Sequence, residues 1–599
     1  MLYRVLLFCT LLIGLTSSAE QKPNILFITV DDMSADSIGV YGCKLKETTP
    51  HIDALAREGL RFKHAHVVVG NCMPSRNCML SGRYPHNNGV EGFYQIKEPD
   101  YPVLADLMKA NGYLTAIRGK VSHSTPYSPF PWDLILDDGS GKREHPKDVE
   151  SYYRSTMRGI EASRAAGKPY CMLINISDPH KPFYGVGKGN RRVDDPHKPS
   201  RIYEADEVPV PGFLPDHPAV REELALYYTT VRRADDCVGA VMRAFREVGD
   251  AENTAIFFLS DHGMPLPFAK TAVYHHSTHT PLIVQWLGAT KKNIIDTRHM
   301  VSGVDILPTF LEVAGIKQPA GIDGRSFVDL LRGHPQSRRD AIFKEYNENS
   351  GAGRHPMRSV QTRRFGYIFN PWADGKRVFK TATTGTATYR TMKQLAETDP
   401  KIAARVDLFE HRALEEFYDY ENDPDALNNL IDDPKYQKQI NEHRRRLEHW
   451  LKKTSDHALE PFQNRNKPEQ LLAYMTRVET EAAERRKEKL KNKQKSPRRN
   501  RKLMVLIAPE KISAGSSATI GIEHKLPKNL GEQMFHVTLK IAGKRADRKV
   551  LSALGKGNLE ITFEVPESAS GKSISFAAFV GKDYSSNLQH LASKPIKVK

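Results

Sequence analysis

Cysteine and long apolar runs are both scarce in this chain. Its 599 residues hold six cysteines, one of them, Cys9, within the first twenty residues. Cys43, Cys72, Cys78, Cys171 and Cys237 remain, too few over such a length for a fold that rests on disulfides. With Cys72 set aside for reasons given below, the other four allow three pairings or four free thiols. Beyond Leu15 no stretch has the ~20 consecutive apolar residues of a membrane span. No segment repeats at a fixed period, so a solenoid is excluded. Acidic residues are missing from one place: between Arg485 and Lys502 eleven Lys or Arg face a single Glu. That segment holds ten of the seventeen net positive charges and leaves seven for everything else. It is also poor in aromatics, and reads as helix or linker without a core.

What is present begins with residues 1–19, where Arg4 precedes the apolar run Val5–Leu15 and Ser17-Ser18-Ala19 offers a cleavage point before Glu20. This is the pattern of a signal peptide, and Cys9 lacks the small residues that precede a lipid-modified cysteine. Export is expected: a secreted or periplasmic protein, or a lysosomal one in a eukaryote. A hydrophobic content of 39% suffices for globular cores, and the length calls for two or three domains.

Pro23–Val30 is an unbroken, β-branched run of the kind that forms a strand buried on both faces of a parallel sheet. It ends in Asp31-Asp32. One carboxylate there could cap a helix, but two at the mouth of a buried strand are better explained by a hard cation with oxygen ligands. Three further runs repeat the arrangement: Tyr113–Ile117 delivers Gly119-Lys120 and His123, Pro169–Ile176 delivers Asp178-Pro-His180, and Thr254–Leu259 delivers Asp261-His262. Lys270 and a patch of His275, His276 and His279 follow. Taken singly, each polar cluster is an ordinary solvated loop; four at one edge of one sheet are not. Between the first two strands, Thr49-Pro50 to Gly59 has helix start and stop signals, and Gly70–Arg83 carries Cys72-Met-Pro-Ser-Arg76 into a short helix. A nucleophile there would feel the positive end of the helix dipole. Apolar residues from Leu224 to Val248 recur at about 3.6 spacing, a scaffold helix whose Arg232, Arg233, Asp235 and Asp236 are assigned to a solvated face.

From about Ala341 the pattern changes to short alternating strands, such as Met357–Asn370 and Glu416–Tyr420, with a helix from about Lys435 to Lys452. After Leu503 alternating runs return at Ala518–Glu523, Phe535–Ile541, Leu559–Val565, Ser573–Val580 and Pro595–Val598, separated by turn residues. The expected organisation is a signal peptide over 1–19, an α/β domain over 20–340, a smaller antiparallel α+β subdomain over 341–476, a basic linker over 477–502, and an immunoglobulin-like β-sandwich over 503–599.

Cys72-Met-Pro-Ser-Arg76 resembles the C-x-P-S-R signature of the sulfatase family, whose cysteine is oxidised to formylglycine. The likeness extends over residues of roughly 23 to 458 and includes Leu80-Ser-Gly-Arg83, Asp31-Asp32, Gly119-Lys120 and Ser260-Asp-His-Gly263. It implies the alkaline-phosphatase-like fold, a large, mostly parallel sheet flanked by helices. Within the family Asp178-Pro-His-Lys181, Ala225–Asp235, Met264–Lys270, Pro356–Phe365 and Phe417–Leu430 are similar to heparan N-sulfatases. Two positions depart from them: Lys120 and His123 are three apart, as in iduronate 2-sulfatases, and His262 stands where the N-sulfatases have Asn.

The resemblance implies that Asp31, Asp32, Asp261 and His262 bind Ca²⁺ together with the converted Cys72. It implies that Arg76 and Lys120 stabilise an ionised hydroxyl of the hydrated aldehyde, and that His123 deprotonates the second hydroxyl when sulfate leaves. His180 and Lys270 would grip the sulfate and protonate the departing atom. Arg358 is a candidate for a substrate carboxylate, with structural ion pairing as its alternative. The partners implied are a sulfated saccharide, N-sulfoglucosamine foremost, and the maturase that converts Cys72, with no nucleic acid and no membrane span. Three other functions remain open. An O-sulfatase keeps the machinery; a phosphatase of the same superfamily would present Ser or Thr in place of Cys72; a non-catalytic glycan-binding protein would rely on the basic segment and the sandwich.

Overall fold

The computed structural model describes residues 22–139, 142–187, 191–248, 251–349, 353–495, 503–527, 530–581 and 588–599. The expected signal peptide and the end of the basic segment lie outside the described residues. Contacts divide the chain into two units, one running to Glu479 and the other Thr480–Lys599.

The first unit is built on an eight-stranded sheet of β1 (Asn24–Asp31), β2 (Leu60–His66), β3 (Leu114–Arg118), β4 (Leu134–Ile135), β5 (Tyr170–Pro179), β6 (Thr254–Ser260), β7 (Leu282–Trp286) and β8 (Ile294–Ser302), in the order β8-β2-β7-β6-β1-β5-β3-β4. Every neighbouring pair is parallel except the two made by β7. Each central strand is buried throughout because alternate residues feed separate cores. Leu26, Ile28 and Val30 enter one apolar cluster, Ile25 and Phe27 the other. The first core contains the scaffold helix and the second packs Phe27 edge-on against Phe310, with ring centroids 5.2 Å apart.

Three helices matter to the site: α1 (Pro50–Arg57), α2 (Cys72–Ser81) and the 30-residue α3 (Pro218–Glu247). The solvated face expected of α3 needs correction. Arg233 and Asp235 are buried, because this helix is covered on more than one side: Arg233 holds Asp178 and Asp195, and Asp235 accepts hydrogen bonds from the backbone N–H groups of His51 and Ile52 at the start of α1. Arg232 and Asp236 are half-buried.

A second, antiparallel sheet follows, β9 (Ala341–Glu348), β10 (Arg354–Thr362), β11 (Phe365–Phe369) and β12 (Glu415–Asp419), and the helix Gln437–Lys453 contributes Trp450 and Leu451 to the core it shares with the large sheet. The run expected as one strand over Met357–Asn370 is a hairpin. All five described cysteines are free thiols. The helix Pro468–Lys495 runs from the first unit into the second, so most of the basic segment is helical.

The second unit is a sandwich of two antiparallel sheets around a single core that includes Ile520, Phe535, Phe563 and Phe576. One sheet joins β13 (Met504–Ile507), β14 (Ser517–Lys525) and β17 (Lys556–Glu564). The other joins β15 (Gln533–Ile541), β16 (Lys544–Ala553), β18 (Ser573–Val580), β19 (Gln589–Ala592) and β20 (Ile596–Lys597), with β16 at its edge. No described helix is long and apolar enough to cross a membrane.

Candidate active site

Strands β3, β5, β1 and β6 run parallel, so their C-terminal ends deliver Lys120, His180, Asp31-Asp32 and Asp261-His262 to the same edge. Successive residues of a strand ordinarily face opposite ways. Here the pairing with β5 slips between Val30 and Asp31, and Asp32 has φ 72°, in the left-handed region. Its N–H donates to Asp261 Oδ1 at 3.0 Å and the N–H of Met33 to Ser260 Oγ at 3.0 Å. The strained turn brings both carboxylates to one centre, where ligand atoms of Asp31, Asp32, Cys72 and His262 lie within 4.8 Å of one another, all buried.

Cys72 is the first residue of α2, and the side chain of Asn71 caps that helix by accepting from the Cys72 N–H at 3.2 Å. Its Sγ is 3.2 Å from His262 Nε2, 4.0 Å from Asp32 Oδ1 and 3.9 Å from Lys270 Nζ. Burial pushes the thiol well above its ordinary range, more than Lys270 lowers it. Burial thus favours the neutral thiol of unmodified Cys72 over the thiolate.

One turn along α2, Arg76 donates from Nε to Asp261 Oδ2 at 3.0 Å and from Nη1 to Thr29 Oγ1 at 2.9 Å and Asn175 Oδ1 at 2.7 Å. Its Nη2 lies 3.5 Å from Asp31 Oδ1. Lys120, itself at φ 51°, pairs with Asp31, and Lys270 donates to both oxygens of Asp32 at 2.7 Å. Burial would raise Asp31 and Asp32, but the facing Lys120 and Lys270 hold them below the usual carboxylate range. Asp261 moves the other way: burial, with Asp31 and Asp32 alongside, pushes it well up despite Arg76.

The donor set fits a divalent cation. Both oxygens of Asp31 are buried; Oδ2 has the Lys120 ammonium beside it, and Oδ1 has, among the described residues, no donor nearer than Arg76 Nη2 at 3.5 Å. His262, which burial drives down to about 3, is neutral; its Nδ1–H donates to Gly263 O at 3.0 Å, so the Nε2 lone pair faces Asp32 Oδ1 at 3.0 Å. A cation between these two acceptors would satisfy both. With Asp261 ionised, as cation ligation requires, the three carboxylates balance the three fixed cations Arg76, Lys120 and Lys270. Two added positive charges would match a sulfate monoanion and one ionised hydroxyl.

His180 and His123 stand beside this cluster. Burial lowers the pKa of His180 against the pull of Asp32 and Asp31, and its Nδ1 is 2.5 Å from Lys181 O. Burial and Lys120 take His123 to about 3, and its Nδ1 has no hydrogen-bond partner. Both imidazoles are neutral and able to accept a proton. The His275, His276 and His279 patch lies outside the cluster, where His275 and His279 stack on each other and meet His66 edge-on and tilted, respectively.

Arg358 does not belong to the site, a correction to its candidacy for substrate. It is fully buried and binds Asp456 through Nε at 2.6 Å and Nη2 at 3.0 Å, which leaves no face for a ligand. Four contributors went unnoticed in the sequence. Thr29 and Asn175 were visible as polar interruptions of apolar strands. Lys147 and Arg233, which bind Asp178 and so hold the His180 loop, carry no local signal.

Residues 23–316 match the family model described as Sulfatase, and residues 261–374 the model described as N-sulphoglucosamine sulphohydrolase, C-terminal. The human protein named N-sulphoglucosamine sulphohydrolase is 29% identical over 483 residues, covering 75% of this chain and 93% of its own. An ulvan-active sulfatase of Formosa agariphila is 24% identical over 493 residues, covering 73% of this chain and 76% of its own. Among solved structures, a protein in complex with its substrate D-glucosamine-2-N,6-O-disulfate shares the fold at a TM-score of 0.55 and 20% identity, over 73% of this chain and 99% of that one. The signature cysteine, its cluster of acids and bases, and the two matched models lead to one conclusion: the chain belongs to the sulfatase family.

Proposed function

We propose that this enzyme removes sulfate from the nitrogen of an N-sulfoglucosamine residue, with Cys72 as formylglycine and Ca²⁺ at Asp31, Asp32, Asp261 and His262. The observation that carries the reading is the Cys72 side chain at the start of α2, between His262 Nε2 and Lys270 Nζ and within reach of Asp32. Calcium suits oxygen-dominated ligation, and one imidazole is compatible with it. When present, the cation polarises the sulfate and the hydrated aldehyde supplies the nucleophilic hydroxyl.

The chain's own residues do the rest. Arg76 and Lys120 place fixed positive charge beside residue 72, where negative charge develops, in a buried setting that strengthens it. Lys270 stays protonated beside Asp32 and lies on the side of Cys72 from which a sulfate oxygen can be held. His180 meets the departing nitrogen. An amine leaves poorly without a proton, and an anionic sulfate in contact with His180 opposes the downward shift that burial imposes, so a proton carried by its ring is available to the leaving group. His123, neutral and next to Lys120, accepts the proton of the remaining hydroxyl as sulfate departs. Secretion, periplasmic placement or lysosomal delivery follows from the sequence of residues 1–19.

Support for the nitrogen-linked substrate comes from the human relative and from the match to the C-terminal model. A second reading, an O-sulfatase, is favoured by His262 and by the spacing of Lys120 and His123. Parallel assays of sulfate release from N-sulfoglucosamine and from a 2-O-sulfated iduronate disaccharide test the choice. Turnover of the first at least a hundredfold above the second is expected; the reverse order would replace the N-sulfatase reading with the O-sulfatase one.

A further inference from the structure

The positive charge of this protein is not spread over it. Residues 1–484 carry 63 Lys or Arg and 62 Asp or Glu, so sixteen of the seventeen net charges belong to residues 485–599, six of them to the sandwich sequence 503–599. Within the sandwich, register shows which side of the five-stranded sheet they occupy. Phe535, Val537 and Leu539 of β15 and Phe576, Ala578 and Val580 of β18 point into the core. The alternate residues, with those directly opposite them, form the other face: Lys540 with Arg545 and Ser575, Thr538 with Arg548 and Ala577, and His536 with Val550 and Phe579.

Arg545 and Arg548 are three apart, and strict alternation would put them on opposite faces. A bulge between Leu539 and Lys540 absorbs the extra residue and brings both to the outer one. Asp547, the only acidic residue in these five strands, pairs with Leu539 and falls on the opposite side. Arg545 and Arg548 are exposed and Lys540 is half-exposed; the one carboxylate in contact with them is Asp547, which accepts from the backbone N–H of Arg548 at 2.7 Å and leaves its guanidinium free of an ion pair among the described residues. Arg548 is held in place: its Nη2 donates to His536 Nδ1 at 2.5 Å, its guanidinium lies 5.3 Å from the centre of the Phe579 ring, and His536 stacks on that ring at 4.3 Å. The result is a row of cations on neighbouring strands, ~5 Å apart, one of them pre-organised and none neutralised.

We propose that this face, with Arg548 at its centre and Lys540 and Arg545 beside it, binds a sulfated glycan chain. The chemistry that recognises it is guanidinium and ammonium against sulfate, with arginine offering paired N–H donors to two oxygens. The choice of polyanion rests on the sulfatase reading above: an enzyme whose active site takes one sulfate gains from a second contact that holds the polymer nearby. Charge on an edge strand also prevents sheet-to-sheet association, but that role is served by either sign. It requires neither a cluster of cations without side-chain ion pairs nor a stacked arginine.

Reversal of sign separates the two. Full-length protein carrying Lys540→Glu, Arg545→Glu and Arg548→Glu keeps a charged edge and should stay monodisperse. Its affinity for immobilised heparin should fall at least tenfold, and the salt dependence of binding should become shallower by about two in log–log slope. Sulfate release from a monosaccharide substrate should stay within twofold of the parent, and an unchanged β-sheet circular dichroism signal and melting transition of the variant show that the sandwich is folded. Arg548→Lys, which keeps the charge and loses the stack, should fall in between. Unchanged heparin affinity in the triple variant would overturn the proposal, as would loss of binding on neutralising residues 485–502 alone, or tighter retention on single-stranded DNA of equal charge. Failure of the sulfatase reading would look different: no sulfate release from the parent, with heparin affinity intact.

Discussion

Asp31 and Asp32 sit side by side in a strand and still face one centre. The left-handed backbone at Asp32 makes this possible, and a non-glycine residue adopts it only where the surroundings over-determine it. Those surroundings are the hydrogen bonds to Asp261 and Ser260 and the ion pair with Lys270. The sequence showed the two acids and the strand that ends in them; it could not show the turn. Removing divalent cations with a chelator should lower the melting temperature. Restoring Ca²⁺ at a hundredfold excess over its dissociation constant should return about 2.7 kcal/mol. Asp31→Asn should abolish that calcium-dependent shift, and a shift that persists in the variant would place the cation elsewhere. The amphipathic pattern of α3 places Arg233 on a solvated face, and a pattern does not report that a helix is covered twice. Arg233→Met strands the buried carboxylate of Asp178 beside Lys147 alone and should cost about 3–5 kcal/mol in chemical denaturation. A loss below about 1 kcal/mol would mean that Lys147 suffices.

At the scale of elements, the four strands and their polar endings were legible because buried parallel strands are uninterrupted apolar runs, and their ends are where open α/β sheets place chemistry. Elements without such a signature were missed. Strand β16, Lys544-Arg-Ala-Asp-Arg-Lys-Val550, is exposed along most of its length and therefore shows no alternation. Connections matter as much as strands. Gly119 has φ +69° and a Cβ there would meet the carbonyl oxygen of Asn175 at 2.6 Å, so the turn from β3 into Lys120 admits glycine alone. Gly119→Ala should destabilise the fold by about 1–2 kcal/mol. It should also lower kcat more than it raises KM, because Lys120 is displaced from Asp31. Wild-type kcat in a folded variant would show that Lys120 reaches the site by another path.

The whole molecule responds to pH through histidines that the sequence displayed only as a patch. His66, His275 and His279 cluster, His275 stacked on His279 at 4.6 Å and His66 edge-on to the first at 5.2 Å and tilted to the second at 5.1 Å. Lys344, His64 and His276 also face this cluster, and Asp36, acting on His279, opposes them. Burial lowers all three, His279 to about 4. The unfolded chain, with histidine near 6.5, then binds more protons between about 4 and 6.5, so stability is full above 6.5 and drops as pH falls through that window. For His279 the loss at pH 5 is about 2 kcal/mol. His86 works in reverse: against its burial, Glu345 and Asp456 raise it to about 9, a contribution present below 6.5 and lost as pH rises through 9. Denaturation midpoints should therefore peak between these windows, and His279→Gln should flatten the acid limb. An acid limb of unchanged slope in that variant would remove His279 from this account.

The claim on which the rest depends is that turnover needs a converted Cys72. It is tested most directly by measuring sulfate release from N-sulfoglucosamine in preparations whose formylglycine content at residue 72 has been determined by peptide mass. Turnover per molecule should rise in proportion to the converted fraction and vanish in Cys72→Ala. Release that is independent of conversion, or that survives in Cys72→Ala, would contradict the account at its centre.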